Sequence, residues 1–285
     1  MYTAYASPSS TISRNTPTAY LFLVDQSSSM AERFGNRDEG LTKAEGVALA
    51  LNNLIRNLII TCSKADGVRN YFHVGVIGYG ERVGPAWGGA LLGQELVPIA
   101  DVARFYTRIG ERATTVQGPD GVPVTQTVKT PIWIEPVAKG STLMCGALGL
   151  AHGIVQNWLL RNQGGVPPVV VHITDGEATD GNPQPFLEAL SNLSNAVGPV
   201  TLFNVHLSSR RHAEPVQYTD APDKLPDAFS RLLFESASFL TPFMRTIAWD
   251  NGIVVSERSK AFVLNADPTL MALALEIGTR PGGMW

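Results

Sequence analysis

The chain has little of what marks several common protein classes. Its two cysteines among 285 residues, Cys62 and Cys145, show neither the density of a disulfide scaffold nor metal-ligand spacing, so free buried thiols and a reducing compartment are expected. No stretch approaches the roughly 20 apolar residues of a membrane span. Residues 1–18 are rich in Ser, Thr and Ala but lack the basic and apolar regions of a secretory signal. These absences point to a cytoplasmic protein. Basic character is missing too: the formal net charge is −3, no Lys/Arg-rich stretch occurs, and the pair Arg210-Arg211 reads as a solvated turn. Nucleic acid is therefore not an expected partner, nor is a membrane.

What is present is a sizeable apolar content, 44%, enough for a large core in one large or two small domains. Strand and helix patterns alternate. Leu21–Val24, His73–Gly78, Val169–Ile173, Val200–Leu207 and Lys260–Asn265 read as strands; Lys43–Thr61, Leu143–Leu160, Pro185–Asn195, Leu225–Ala248 and Pro268–Ile277 read as helices. Such alternation predicts an α/β fold, a doubly wound, mostly parallel sheet flanked by helices. Between Gly80 and Lys139 the pattern is less regular, with a helix expected over Ile99–Glu111 and extended patches over Val122–Val128 and Ile132–Val137.

Chemistry concentrates at strand ends. The run Leu21–Val24 passes directly into Asp25-Gln26-Ser27-Ser28-Ser29. Its alternate residues Asp25, Ser27 and Ser29 carry oxygen at a spacing that a tight loop can aim at one point, as a small hard cation requires. Two more segments place oxygen at element boundaries: Lys139-Gly140-Ser141-Thr142, ahead of a helix, and Thr174-Asp175-Gly176, after a strand. Loops leaving the carboxyl ends of parallel strands gather along one edge, where ligand sites form.

Together these three segments resemble the metal-ion-dependent adhesion site of von Willebrand factor A domains, over about residues 19–207. Asp25, Ser27 and Ser29 match the family's Asp-x-Ser-x-Ser element, Thr142 its lone threonine, and Asp175 its late aspartate. The resemblance implies a three-layer Rossmann-like fold and a bound Mg2+, with Mn2+ or Ca2+ as alternatives. The serines and Thr142 would bind metal directly, and the aspartates would contribute through the metal or its waters. It further implies a non-enzymatic module that grasps an Asp or Glu of a protein partner through the cation. The chain is similar to stand-alone bacterial domains of tellurium-resistance-type stress systems, which work beside a kinase and a phosphatase, and to adaptors of AAA+ ATPases. Residues 1–18 are expected to be a flexible lead-in and 19–285 one domain. Within it, about 113–136 reads as an insertion or hairpin and 250–285 as a C-terminal extension.

Other readings are weaker. Gly78-x-Gly80 with Gly84 is followed by Pro85 and Gly88-Gly89, where a dinucleotide turn needs a helix to open. A magnesium-dependent hydrolase or phosphotransferase built on Asp25 would need a second carboxylate as acid/base, and that position is Ser27. A metal-independent scaffold is the remaining alternative. Glu177 is expected to face solvent or lie just outside the ligand set, and His73, His172 and His206 are expected to be satisfied structural histidines.

Overall fold

The structure is a computed structural model that describes residues 11–34, 40–117, 122–207 and 214–280; Arg210-Arg211 lies outside them. Its centre is β1 (Thr18–Asp25), buried along its whole length. Successive side chains of a strand point to opposite faces. Tyr20, Phe22 and Val24 therefore enter one hydrophobic layer with Leu51 and Ile55 of α1 (Lys43–Cys62) and Met271 and Leu275 of α7 (Pro268–Thr279). Leu21 and Leu23 enter the other, with Leu148 of α3 (Met144–Arg161), Leu187 of α4 (Gln184–Ser191) and Leu233 of α5 (Ala228–Ser236). Burial on both faces is why this strand is continuously apolar rather than alternating.

The main sheet runs β11 (Val216–Gln217), β12 (Phe262–Ala266), β10 (Thr201–Leu207), β9 (Val169–Thr174), β1, β4 (Phe72–Tyr79) and β5 (Val83–Pro85), with β6 (Val97–Pro98) also paired to β4. The five strands from β12 to β4 are mutually parallel, and β11, β5 and β6 are antiparallel edges. This is the doubly wound α/β architecture. After β1 the chain builds outward through β4 on one side, then crosses to β9 on the other. The strand order reverses at β1, so the crevice beyond its carboxyl end is the topological switch point where α/β folds bind ligands.

Two expected elements end differently. The helix expected over Ile99–Glu111 stops early: α2 is Ile99–Arg104, and β7 (Arg108–Gln117) pairs with β8 (Pro123–Ile132) in an antiparallel hairpin. Thr107 favours extended backbone and is held there, its hydroxyl donating to the Trp133 carbonyl at 2.9 Å and its N–H to Ile132 at 2.8 Å. The single helix expected over Leu225–Ala248 is two, α5 and α6 (Pro242–Asp250). Pro242 has no N–H to continue a helix, whereas at the first turn of a new one its fixed φ is favourable. Thr241 supplies the cap, accepting from the Met244 N–H at 3.2 Å. A short antiparallel pair, β2 (Ser63–Lys64) with β3 (Gly67–Val68), follows α1.

Of residues 1–18, the first ten lie outside the described residues. Ile12 is buried in the core and Thr18 opens β1. At the other end, the 250–285 segment carries β12 into the main sheet and α7 against α1.

Candidate metal centre

Backbone hydrogen bonds bring the three oxygen-bearing loops together at the switch point. The Gln26 N–H donates to the Tyr79 carbonyl at 2.7 Å, and the Lys139 N–H donates to the Gln26 carbonyl at 2.6 Å. Gly140 is bonded three times to Ser28: its carbonyl accepts from the Ser28 N–H and from the Ser28 hydroxyl, both at 3.0 Å, and its own N–H lies 3.1 Å from the Ser28 hydroxyl oxygen. The Thr142 carbonyl accepts the Thr179 N–H at 2.9 Å. Glycine makes this approach possible: a Cβ on Gly80 would lie 2.5 Å from the Gln26 and Lys139 carbonyl oxygens. Gly140, with φ near +89°, adopts a left-handed conformation that other residues rarely take. The role of Gly80 is therefore to let two loops pass, with no phosphate involved.

Counting protons shows which oxygens are available. Ser29 donates its hydroxyl proton to Asp175 Oδ1 at 2.7 Å. Ser27 Oγ lies 2.9 Å from Ser29 Oγ and must be the donor in that pair, because the Ser29 proton is already used. Ser29 thus keeps one lone pair and Ser27 two. Thr142 is nearly buried, and its hydroxyl makes no hydrogen bond among the described residues.

The carboxylates differ from each other. Asp25 is fully buried; Oδ1 accepts the Ser27 N–H at 2.9 Å and Oδ2 the Thr174 hydroxyl at 2.8 Å. No ion pair reaches it among the described residues. Burial pushes its carboxyl above the usual range, hydrogen bonds from Ser27 oppose this, and the neighbouring Asp175 charge adds to the rise. Asp175 has a cation beside it: Lys43 Nζ lies 2.8 Å from Oδ2 and 2.8 Å from Glu32 Oε2. With Ser29 on Oδ1, both Asp175 oxygens already accept protein donors.

The residues present therefore fit a hard divalent cation. Three hydroxyls and two carboxylates are all-oxygen donors, and Asp25 is a buried charge without a counter-ion. No group of three or more His, Cys, Asp or Glu side chains is arranged for a metal among the described residues. Glu177 is exposed, in accord with expectation. His172 is satisfied, its ring bonded to the Tyr79 hydroxyl at 2.8 Å and to Asn204 Oδ1 at 3.2 Å. His73 is not: Nδ1 is buried with no hydrogen-bond partner, and the ring packs on Trp158 instead.

Sequence reasoning passed over three residues here. Thr174 orients Asp25. Asp180 caps α3 from another loop, accepting the Cys145 and Gly146 N–H groups at 3.0 and 2.9 Å, where Leu143 cannot. Lys43 left the clearest trace: it directly follows the cap Thr42, inside the Thr42/Glu45 capping box, and a cation in the first turn opposes the helix dipole. A lysine there signals a carboxylate partner outside the helix.

No protein-family model and no curated protein matches the sequence. Solved structures similar to the chain include a von Willebrand factor type A protein from Catenulispora acidiphila, at 15% identity and TM-score 0.39, covering 68% of this chain and 34% of that one. Another is proximal thread matrix protein 1 from the mussel byssus, described with a zinc-occupied MIDAS motif, at 14% identity and TM-score 0.41, covering 92% and 48%. The von Willebrand factor domain of the type V pili tip protein Mfa5 from Porphyromonas gingivalis matches at 10% identity and TM-score 0.41, covering 92% and 93%. The chain thus spans about a third of the first and half of the second. At these identities and scores the fold assignment rests on the strand order itself.

Proposed function

We propose that the carboxyl edge of the sheet holds a divalent cation through Ser27, Ser29 and Thr142, with Asp25 and Asp175 behind them, and that the loaded site docks an acidic side chain of a protein partner. One observation carries this reading: among the described residues Asp25 is a fully buried carboxylate without a counter-ion, beside the Ser27 and Ser29 hydroxyls, which retain lone pairs. A dication relieves that charge, and because the site holds few negative groups of its own, a carboxylate from outside is attracted rather than repelled. Magnesium is the cation we propose, with Mn2+ or Ca2+ able to substitute, since all the donors are hard oxygens. Catalysis is not part of the proposal. The position beside Asp25 where an acid/base would act is Ser27, whose proton is engaged with Ser29.

For the biological setting we keep the reading that the resemblance implies: an intracellular bacterial adaptor, working with a kinase and phosphatase or with an AAA+ ATPase. Two free, buried cysteines support a reducing compartment. The test joins calorimetry with Mn2+ or Mg2+ to an affinity pull-down with and without chelator. Wild type should bind the cation and retain its partner only without chelator; Asp25→Ala and Thr142→Ala should lose both while remaining folded. A variant with unchanged cation affinity and unchanged partner retention would sink the proposal.

A further inference from the structure

Lys43 is the most unusual charge in the molecule. Its side chain is fully buried, at the dipole-positive end of a 20-residue helix, where both desolvation and the dipole oppose a cation. Its stem is enclosed beside the candidate site. Its ammonium reaches Asp175, also fully buried, and Glu32, whose carboxylate is half-exposed and screened by water. A fastening role alone does not need such a charge, because the same loop is already held by the Lys43 N–H to Glu32 carbonyl bond at 2.8 Å and by the Ser28–Gly140 pair.

Resting on the cation-site reading above, we propose that Lys43 is a built-in counter-charge that makes the loaded site net positive and thereby selects an anionic ligand. Among the described residues the fully buried charges at the site are Asp25, Asp175 and Lys43, which sum to −1; a dication brings this sum to +1. Without the lysine the same sum runs from −2 to 0, and a loaded site would hold its metal more tightly but exert no net pull on a carboxylate. Lys43 thus trades metal affinity for ligand affinity. Because it holds Asp175 Oδ2, it also keeps that carboxylate from closing directly on the cation, which leaves a coordination position for the incoming acid.

The test uses the full chain, Mn2+ calorimetry and acetate as the smallest carboxylate probe. Lys43→Met preserves the apolar stem and should bind Mn2+ roughly tenfold tighter than wild type, through loss of a like charge. Acetate should strengthen Mn2+ binding in wild type and lose this effect in the variant. Its melting temperature in chelator should fall, and Mn2+ should restore it. Should Lys43→Met fail to fold, Lys43→Gln, which removes the charge but keeps a hydrogen-bond donor toward Asp175, should show the same tighter Mn2+ binding and the same loss of the acetate effect. Glu32→Gln, which leaves the sealed charges alone, should change neither. Mn2+ affinity of Lys43→Met within about twofold of wild type, with lowered stability only, would overturn the proposal. So would an acetate effect of wild-type size in Lys43→Gln. Wild type that binds no Mn2+ at all would instead sink the underlying cation site.

Discussion

The carboxyl edge of the sheet and the β7–β8 hairpin adjoin in sequence but are held in opposite ways. At the edge, loops from β1, β9 and the approach to α3 are joined by short hydrogen bonds among buried polar groups, and nearly every donor and acceptor has a stated partner. The hairpin is a ladder that carries its own pairing from Arg108↔Ile132 to Gln117↔Pro123 and leaves Ile109, Val124 and Val128 exposed. Its root is fastened. Asn52 accepts the N–H groups of Trp133 and Ile134 and donates to Ala48 and Ile134 carbonyls, and the Trp133 indole donates to Val102. A buried polar network tolerates little change because each deletion leaves an unpaired group, whereas an exposed ladder tolerates much.

The contrast is broken most severely at the edge. Asp25→Ala or Thr142→Ala should abolish measurable Mn2+ binding, a loss of at least about 3 kcal/mol. Replacing residues 109–131 by a two-glycine link should leave Mn2+ affinity as it was. An equal loss from both changes would show that the hairpin is part of the site.

Acid should find the edge before the hairpin. Burial pushes the His172 imidazole down to about 4, the Asn204 bond opposing and His206 adding to the drop. Because its folded value lies below its unfolded one, the contribution to stability is complete above pH ~6.5 and is lost as pH falls toward 4, on the order of 3 kcal/mol at most. Urea unfolding from pH 7 to 4 should show this loss, and His172→Gln should flatten it. A pH profile unaltered by the substitution would remove His172 from the account.

At the hairpin root, Asn52→Leu should lower stability by about 2 kcal/mol, since it strands the Trp133 and Ile134 N–H groups. Mn2+ affinity should not follow. Thermal melts and calorimetry on one sample separate the two.

The same contrast governed how much was legible beforehand. The edge was readable because its candidate donors sit at element boundaries: Asp25, Ser27 and Ser29 lie within five residues at the end of β1, Asp175 directly follows β9, and Thr142 lies just ahead of α3. Lys43 escaped because its meaning depends on Asp175, 132 positions away. The hairpin was half legible. Thr107, Ile109 and Val116 favour strand and Gly110 weakens helix, yet Ile99 to Arg104 begins a real helix, and nothing local marks its end at Phe105. The break between α5 and α6 was written in Pro242 and was missed because the apolar spacing runs on through it.

The finest test asks whether Asp25 is a charge the bare fold would rather not carry. Its folded value lies above the usual aspartate range, so protonation favours the fold, and this contribution is absent once pH rises past that raised value. At neutral pH without metal, Asp25→Asn should therefore stabilise slightly, read as a small rise in melting temperature. The amide can keep both local bonds. Its oxygen accepts the Ser27 N–H, and its NH2 donates to the Thr174 hydroxyl, whose single proton turns to the Gly176 carbonyl 2.9 Å away. Saturating Mn2+ should reverse the order, because only wild type gains from it. If Asp25→Asn melts below wild type in chelator, the hydrogen bonds already compensate the buried charge, and the edge is no more in need of a cation than the hairpin is.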